Sequence, residues 1–229
     1  MFGGLEQGIK RGKAEVVVCP PFVYLQEAIV QFKSSAIKVG GQDCFWEQEG
    51  AFTGQVSAKM LKSLGAGFVI LGHSEKVALG ETPEITNQKI KASLEAGLRP
   101  IICLGETELE RKAGRTFQVL EQKLQAILKG LRKSDIAKLL IAYEPVWAIG
   151  TGNNCSADDA LTMALFIKKL VLSWAGQQAS QQIKILYGGS VDSRNASNYL
   201  QHPVLAGLLV GGASLNIKEF TRLVKNAIE

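Results

Sequence analysis

The sequence predicts an α/β protein built as a parallel (β/α)8-type barrel, with seven strands found and the first one missing. Three observations predict it. Short runs rich in Val, Ile and Leu recur roughly every 30 residues with amphipathic stretches between them, the pattern of repeated strand–helix units. The runs are continuously apolar rather than alternating, as parallel strands buried on both faces require. Glycines cluster at the ends of the late runs, in Tyr187-Gly188-Gly189-Ser190 and Val210-Gly211-Gly212, whereas no G-x-G-x-x-G follows the first run. That argues against an open dinucleotide-binding sheet and for a barrel, whose phosphate sites follow its last two strands.

In chain order the predicted strands are residues 15–19, 37–41, 68–72, 100–105, 139–143, 183–188 and 207–212. A short helix is expected over residues 5–11. Thr82, Pro83 and Glu84 read as N-cap, N1 and N2 of another, and Ser156-Ala157-Asp158-Asp159 opens a long helix through Gln177. Glycines at Gly65 and Gly97 read as helix exits. A closed barrel of this type takes eight strands in about 250 residues, so the missing element falls before residue 15, and the whole chain, 1–229, reads as a single incomplete barrel domain. Such a barrel is open along one seam, and the exposed edges of the 15–19 and 207–212 strands invite pairing with another chain.

Composition narrows the function. Hydrophobic residues make up 46% and charged residues 21%, as in globular domains and unlike disordered ones. The apolar stretch 204–215 is too short and glycine-rich for a membrane span. The first residues, Met1-Phe2-Gly3-Gly4-Leu5-Glu6-Gln7, lack the basic start and apolar core of a secretory signal, so a cytoplasmic protein is expected. The four cysteines (Cys19, Cys44, Cys103, Cys155) have no C-x-x-C spacing and there are only two histidines, which argues against disulfide scaffolds and zinc sites; no metal and no cofactor is expected. The net charge of +5 comes from scattered basic residues, which suits a small anionic ligand better than nucleic acid.

Five segments lie where a barrel places its active site, at the C-terminal ends of strands. They are Leu71-Gly72-His73-Ser74-Glu75, Cys103-Leu104-Gly105-Glu106, the stretch from Ala142 through Tyr143-Glu144-Pro145-Val146-Trp147-Ala148-Ile149-Gly150-Thr151 to Gly152, Tyr187-Gly188-Gly189-Ser190, and Leu209-Val210-Gly211-Gly212-Ala213-Ser214. In these motifs, from about Glu15 to the C-terminus, the chain resembles the triosephosphate isomerases, which are TIM barrels. The resemblance implies interconversion of dihydroxyacetone phosphate and D-glyceraldehyde 3-phosphate through an enediolate, a step of glycolysis and gluconeogenesis performed without cofactor or metal.

The resemblance also implies roles. Glu144 looks like the general base, a carboxylate whose pKa can rise under a lid. His73, where a strand meets a helix N-terminus, looks like the electrophile, kept neutral by that terminus; both points are a worked example of enzyme pKa tuning. His202 reads as structural. Glu75 resembles the family's buried acid beside a catalytic lysine. Pro145, Val146, Trp147, Ala148, Ile149, Gly150 and Thr151 resemble the mobile lid that excludes water. The N–H groups of Gly150, Ser190, Gly211 and Gly212 resemble the phosphate cradle. The connection 43–54, with Phe45, Trp46 and Phe52, is long for a compact barrel and resembles the loop that plugs into a twin subunit, with Thr53 reaching the partner's site; a homodimer is implied.

The chain departs from the family in one motif. The family's Asn-x-Lys, at the end of its first strand, has no counterpart before Glu15. Lys10 and Lys13 would sit at the opposite mouth, and the α-amino group of Met1 is the candidate substitute for the lysine cation. Loss of one preorganised cation costs on the order of a hundredfold in rate, so reduced activity is expected. The alternatives are a non-catalytic phosphate-binding remnant, or a chain truncated at its N-terminus. Lys76 follows His-Ser-Glu where the family usually has Arg, so the family's salt bridge across the subunit interface is not expected to form as usual.

Overall fold

Seven parallel strands pair in simple chain order in the computed structural model, which describes Leu5, Ile9 and residues 14–149 and 154–227. They are β1 (Val17–Val18), β2 (Lys38–Gly41), β3 (Phe68–Leu71), β4 (Arg99–Leu104), β5 (Leu140–Tyr143), β6 (Lys184–Tyr187) and β7 (Leu205–Leu208). Register is continuous through the middle of the sheet, with Ile70 opposite Ile101 and Ile102 opposite Ile141. The sheet is a curled, open TIM barrel: among the described residues no ladder joins β7 back to β1, and no strand precedes β1.

Strand alternation divides the core in two. Phe68, Ile101, Cys103, Leu140, Ala142 and Leu186 pack together on the inner face. Their neighbours Val69, Ile102, Ile141 and Ile185 face outward against Leu61, Ile90, Leu120, Leu124 and Ile167 of the covering helices. Burial on both faces is why the strands carry no polar alternation.

Helix ends follow the expected caps. Thr82 Oγ1 accepts the Ile85 N–H at 3.3 Å above Pro83 at the start of helix Pro83–Glu95, and Ser156 Oγ accepts the Asp159 N–H at 3.0 Å. The long helix is shorter than expected: it spans Ala157–Ala175, breaks at Gly176 and resumes over Gln177–Gln182. The two edge strands also differ. β1 keeps only two paired residues, and the last strand forms over Leu205–Leu208 rather than 207–212. A strand with one neighbour pairs only where that neighbour offers hydrogen bonds; here the ladder β6–β7 slips between Ile185 and Leu186. Of the expected helix 5–11, Leu5 and Ile9 are buried in the core; Met1, Lys10 and Lys13 lie outside the described residues.

Candidate active site

Strand alternation carries Glu144 to the mouth of the sheet. Ala142 faces inward and Tyr143 outward, so Glu144 turns inward again, 3% exposed, with its N–H held by Leu104 O at 2.8 Å. Two strands away, Gly72 turns the chain after β3 with φ of 68°, and His73 becomes the N-cap of helix Ser74–Ala78. The two meet: His73 Nε2 lies 2.9 Å from Glu144 Oε1, and the Ser74 N–H donates to Glu144 Oε2 at 3.0 Å. Below them the buried Cys103 thiol is pushed well above its ordinary pKa, by burial first and then by the Glu144 charge.

His73 feels two opposed influences. Its Nδ1 accepts the Glu75 N–H at 3.3 Å, which favours the neutral ring, as expected at a helix N-terminus. The hydrogen bond to Glu144 is the larger effect and raises the imidazole above its usual value, with burial opposing it. In this arrangement His73 is thus a stronger base than the sequence suggested. A raised folded pKa stabilises the chain fully below the unfolded value near 6.5, and that contribution fades as pH rises through the higher folded value. The stability loss of His73→Gln in urea is therefore expected to be larger at pH 5.5 than at pH 9 (about one unit below and two and a half above the ordinary imidazole value). A penalty independent of pH would mean that the His73–Glu144 pair is not formed in solution.

Glu75 requires a correction. Its side chain is 84% exposed, with its carboxylate 3.9 Å from His73 Nδ1. The buried acid of this region is Glu81, at 8% exposure, which binds Lys89 and accepts the Gly72 N–H at 3.2 Å. Glu75 sits in the first turn of a helix that buries none of its residues, so nothing draws it inward. Lys76 makes an ion pair within the chain, its Nζ 3.0 Å from Asp43 Oδ2.

The described part of the expected lid, Pro145–Ile149, is docked on an acid to which the sequence reading gave no role. Glu106, fully buried at the end of β4, accepts Trp147 Nε1–H at 2.9 Å and the Tyr143 hydroxyl at 3.2 Å. Val146, Trp147 and Ala148 form a single 3-10 turn, anchored by Val146 N–H to Glu106 O at 3.1 Å. The Arg111 guanidinium lies 4.3 Å from the Trp147 ring centroid and reaches Asp159 at 3.1 Å. The available signal was positional: an acid directly after a strand, inside a motif already singled out. Gly150 and Thr151 lie outside the described residues.

Of the expected cradle, Ser190, Gly211 and Gly212 follow β6 and β7 at the same end of the sheet. Their N–H groups carry no hydrogen bond to any other described residue, and Gly211 and Gly212 are exposed. The expected interface loop leaves the same end of β2. Phe45 packs against Trp46 and Phe52 in tilted ring contacts, with centroids 4.0 and 4.8 Å apart, while Thr53 stands exposed. No helix among the described residues is long and apolar enough to cross a membrane.

Comparison with known proteins agrees with this geometry. The family model described as triosephosphate isomerase matches residues 2–227. The triosephosphate isomerase of Dictyoglomus thermophilum is 45% identical over 213 residues, 93% of this chain and 86% of the relative. That of Carboxydothermus hydrogenoformans is 46% identical over 215 residues, again 93% of this chain and 86% of the relative. The crystal structure of the enzyme from Bartonella henselae superposes with a TM-score of 0.88 at 35% identity, covering 98% of this chain and 90% of that one. The motifs at the strand ends, the fold and these relatives lead to one conclusion: the chain belongs to the triosephosphate isomerase family.

Proposed function

We propose that this chain interconverts dihydroxyacetone phosphate and D-glyceraldehyde 3-phosphate, with Glu144 as base and His73 as electrophile. The observation that carries the reading is the 2.9 Å contact between these two side chains at the mouth of the sheet. Glu144 leaves His73 and Ser74 to take a proton from the substrate carbon beside the carbonyl. With the carboxylate gone, the pull that raises His73 is relieved, and the Glu75 N–H on Nδ1 holds the ring neutral with Nε2–H free to donate to the carbonyl oxygen. A proton passes between the two substrate oxygens by way of His73 Nε2, and return of the abstracted proton to the neighbouring carbon completes the aldose–ketose exchange. One carbon is oxidised as its neighbour is reduced, so no outside oxidant or reductant is required. Gly150, Ser190, Gly211 and Gly212 take the phosphate on their N–H groups. Pro145 to Thr151 close over the site, keeping water from the enediolate.

The chain works as a homodimer through the Phe45–Trp46–Phe52 loop, with Thr53 entering its twin, and in the cytoplasm, where its free thiols persist. The unengaged N–H groups after β6 and β7 also support a second reading, phosphate binding without turnover. Proton NMR of dihydroxyacetone phosphate with the chain in deuterium oxide separates the two. Appearance of the aldose with deuterium at the exchanged carbon is expected. Inorganic phosphate binding with no exchange would replace the first reading by the second.

A further inference from the structure

Asp43, two residues beyond the loop end of β2, holds two lysines at once. Its Oδ2 lies 3.0 Å from Lys76 Nζ and its Oδ1 2.7 Å from Lys89 Nζ. Lys89, with its side chain 6% exposed, also binds Glu81, and the other Glu81 oxygen accepts the Gly72 N–H at 3.2 Å and the Thr86 hydroxyl at 2.9 Å. Two carboxylates therefore face two ammonium groups in one cluster. The cluster closes a ring through the chain: Gly72 to Glu81, Glu81 to Lys89, Lys89 to Asp43, Asp43 to Lys76, and Lys76 back along the backbone to Gly72. His73 lies inside that ring.

The ring matters because of what it encloses. Helix Ser74–Ala78 has five residues and buries none of them. A helix this short does not hold itself in water, and it has no apolar face with which to dock. Polar clamps do the holding instead: Gly72 N–H at its entry, Lys76 in its middle, and Glu81 N–H on Lys76 O at 3.0 Å behind it. Asp43 reaches this helix from the end of β2, as Glu144 reaches its first residue from the end of β5. The Asp43 backbone continues into the aromatic loop, with the Cys44 N–H on Asp43 Oδ1 at 2.8 Å.

We propose that Asp43 is a positioning residue for His73, fixing the imidazole through Lys76 and linking it to the Phe45–Trp46–Phe52 loop. An isolated ion pair of a half-exposed lysine contributes little. Here the carboxylate is shared with a buried lysine, so rotating away would take from that lysine one of its two carboxylate partners. The proposal rests on the reading of His73 as the electrophile, and its test does not depend on turnover.

The test uses Asp43→Ala, Lys76→Met and Lys76→Arg with two readouts. The first is an NMR titration of the histidine rings, simple because the chain has only His73 and His202 and a His202→Gln variant assigns them. The second is the split between kcat and KM. In Asp43→Ala and Lys76→Met the His73 contact to Glu144 loosens, so the proton affinity of His73 is expected to fall about threefold or more. In the same variants kcat is expected to fall about tenfold with KM within about twofold, as for a displaced catalytic group. Lys76→Arg, which still reaches Asp43, is expected to bring both readouts most of the way back. If Asp43→Ala fails to fold because the buried Lys89 loses one of its two partners, Lys76→Met carries the test, since that side chain is 39% exposed. An unchanged His73 titration in Lys76→Met overturns the proposal, whether or not the chain turns over substrate. If no variant or parent shows turnover while the titration shifts as expected, the positioning role stands and the proposed reaction fails.

Discussion

Glu144→Gln is expected to lower kcat about a thousandfold, the middle of the range a positioned base contributes, with little change in KM. The amide has the same shape but cannot take a proton from carbon. It keeps an oxygen for the Ser74 N–H, which lies 3.0 Å from the native carboxylate, so the β3 turn stays in place. It loses the charge opposite His73 Nε2, so the imidazole should titrate below its value in the parent chain. Phosphate affinity should be unchanged, because Ser190, Gly211 and Gly212 follow other strands. Steady-state kinetics of the two chains side by side decides it. A variant within threefold of the parent (roughly 0.7 kcal/mol) would mean that another group removes the proton.

The second large effect is expected at Gly105→Ala. A Cβ there would sit 1.9 Å from Glu144 O and 2.5 Å from its carbonyl carbon. Both are backbone atoms, so no side-chain rotation relieves the clash. The ends of β4 and β5 are tied together around this point, by Glu144 N–H to Leu104 O at 2.8 Å and Val146 N–H to Glu106 O at 3.1 Å. Lys123 Nζ pins the Gly105 carbonyl itself at 2.8 Å. Separating the two strand ends should cost about 3 kcal/mol or more of stability. It also moves Glu144, and a displacement of about 1 Å costs on the order of a hundredfold in kcat. Gly67→Ala is the control, since its added carbon would find its nearest neighbour 4.0 Å away. Urea unfolding midpoints and kcat for the two variants give the comparison. A Gly105→Ala chain as stable and active as Gly67→Ala would place the two strand ends farther apart in solution.

The sheet was legible because its cause is local. Ile101, Ile102, Leu140 and Ile141 are apolar in succession since one of each pair meets the inner cluster and the other the helices. Thr82 and Ser156 announced helix starts because a side-chain oxygen two or three residues upstream satisfies free N–H groups. Edge strands were less legible, as β7 shows: the apolar run 207–212 carries on past the sheet, and pairing stops where β6 ends. At the site, Glu144 and His73 could be singled out because they sit in family motifs at strand ends. Glu75 and Glu81 could not be told apart, both being acids a few residues beyond His73. Which of them is buried depends on Lys89, delivered by helix Pro83–Glu95, and on the Gly72 N–H.

The amino-acid sequence by itself determined the strand–helix repeat, the turns that bring the candidate site side chains to one end, and the family motifs those turns carry. Only the tertiary structure decided that Glu144 rests on His73 and Ser74, the latter 70 residues away in sequence, that Glu106 holds Trp147, and that Asp43 joins Lys76 to Lys89. The reason is physical: hydrophobic periodicity and capping act over a few residues of chain, whereas a buried charge chooses its partner by which strands lie side by side.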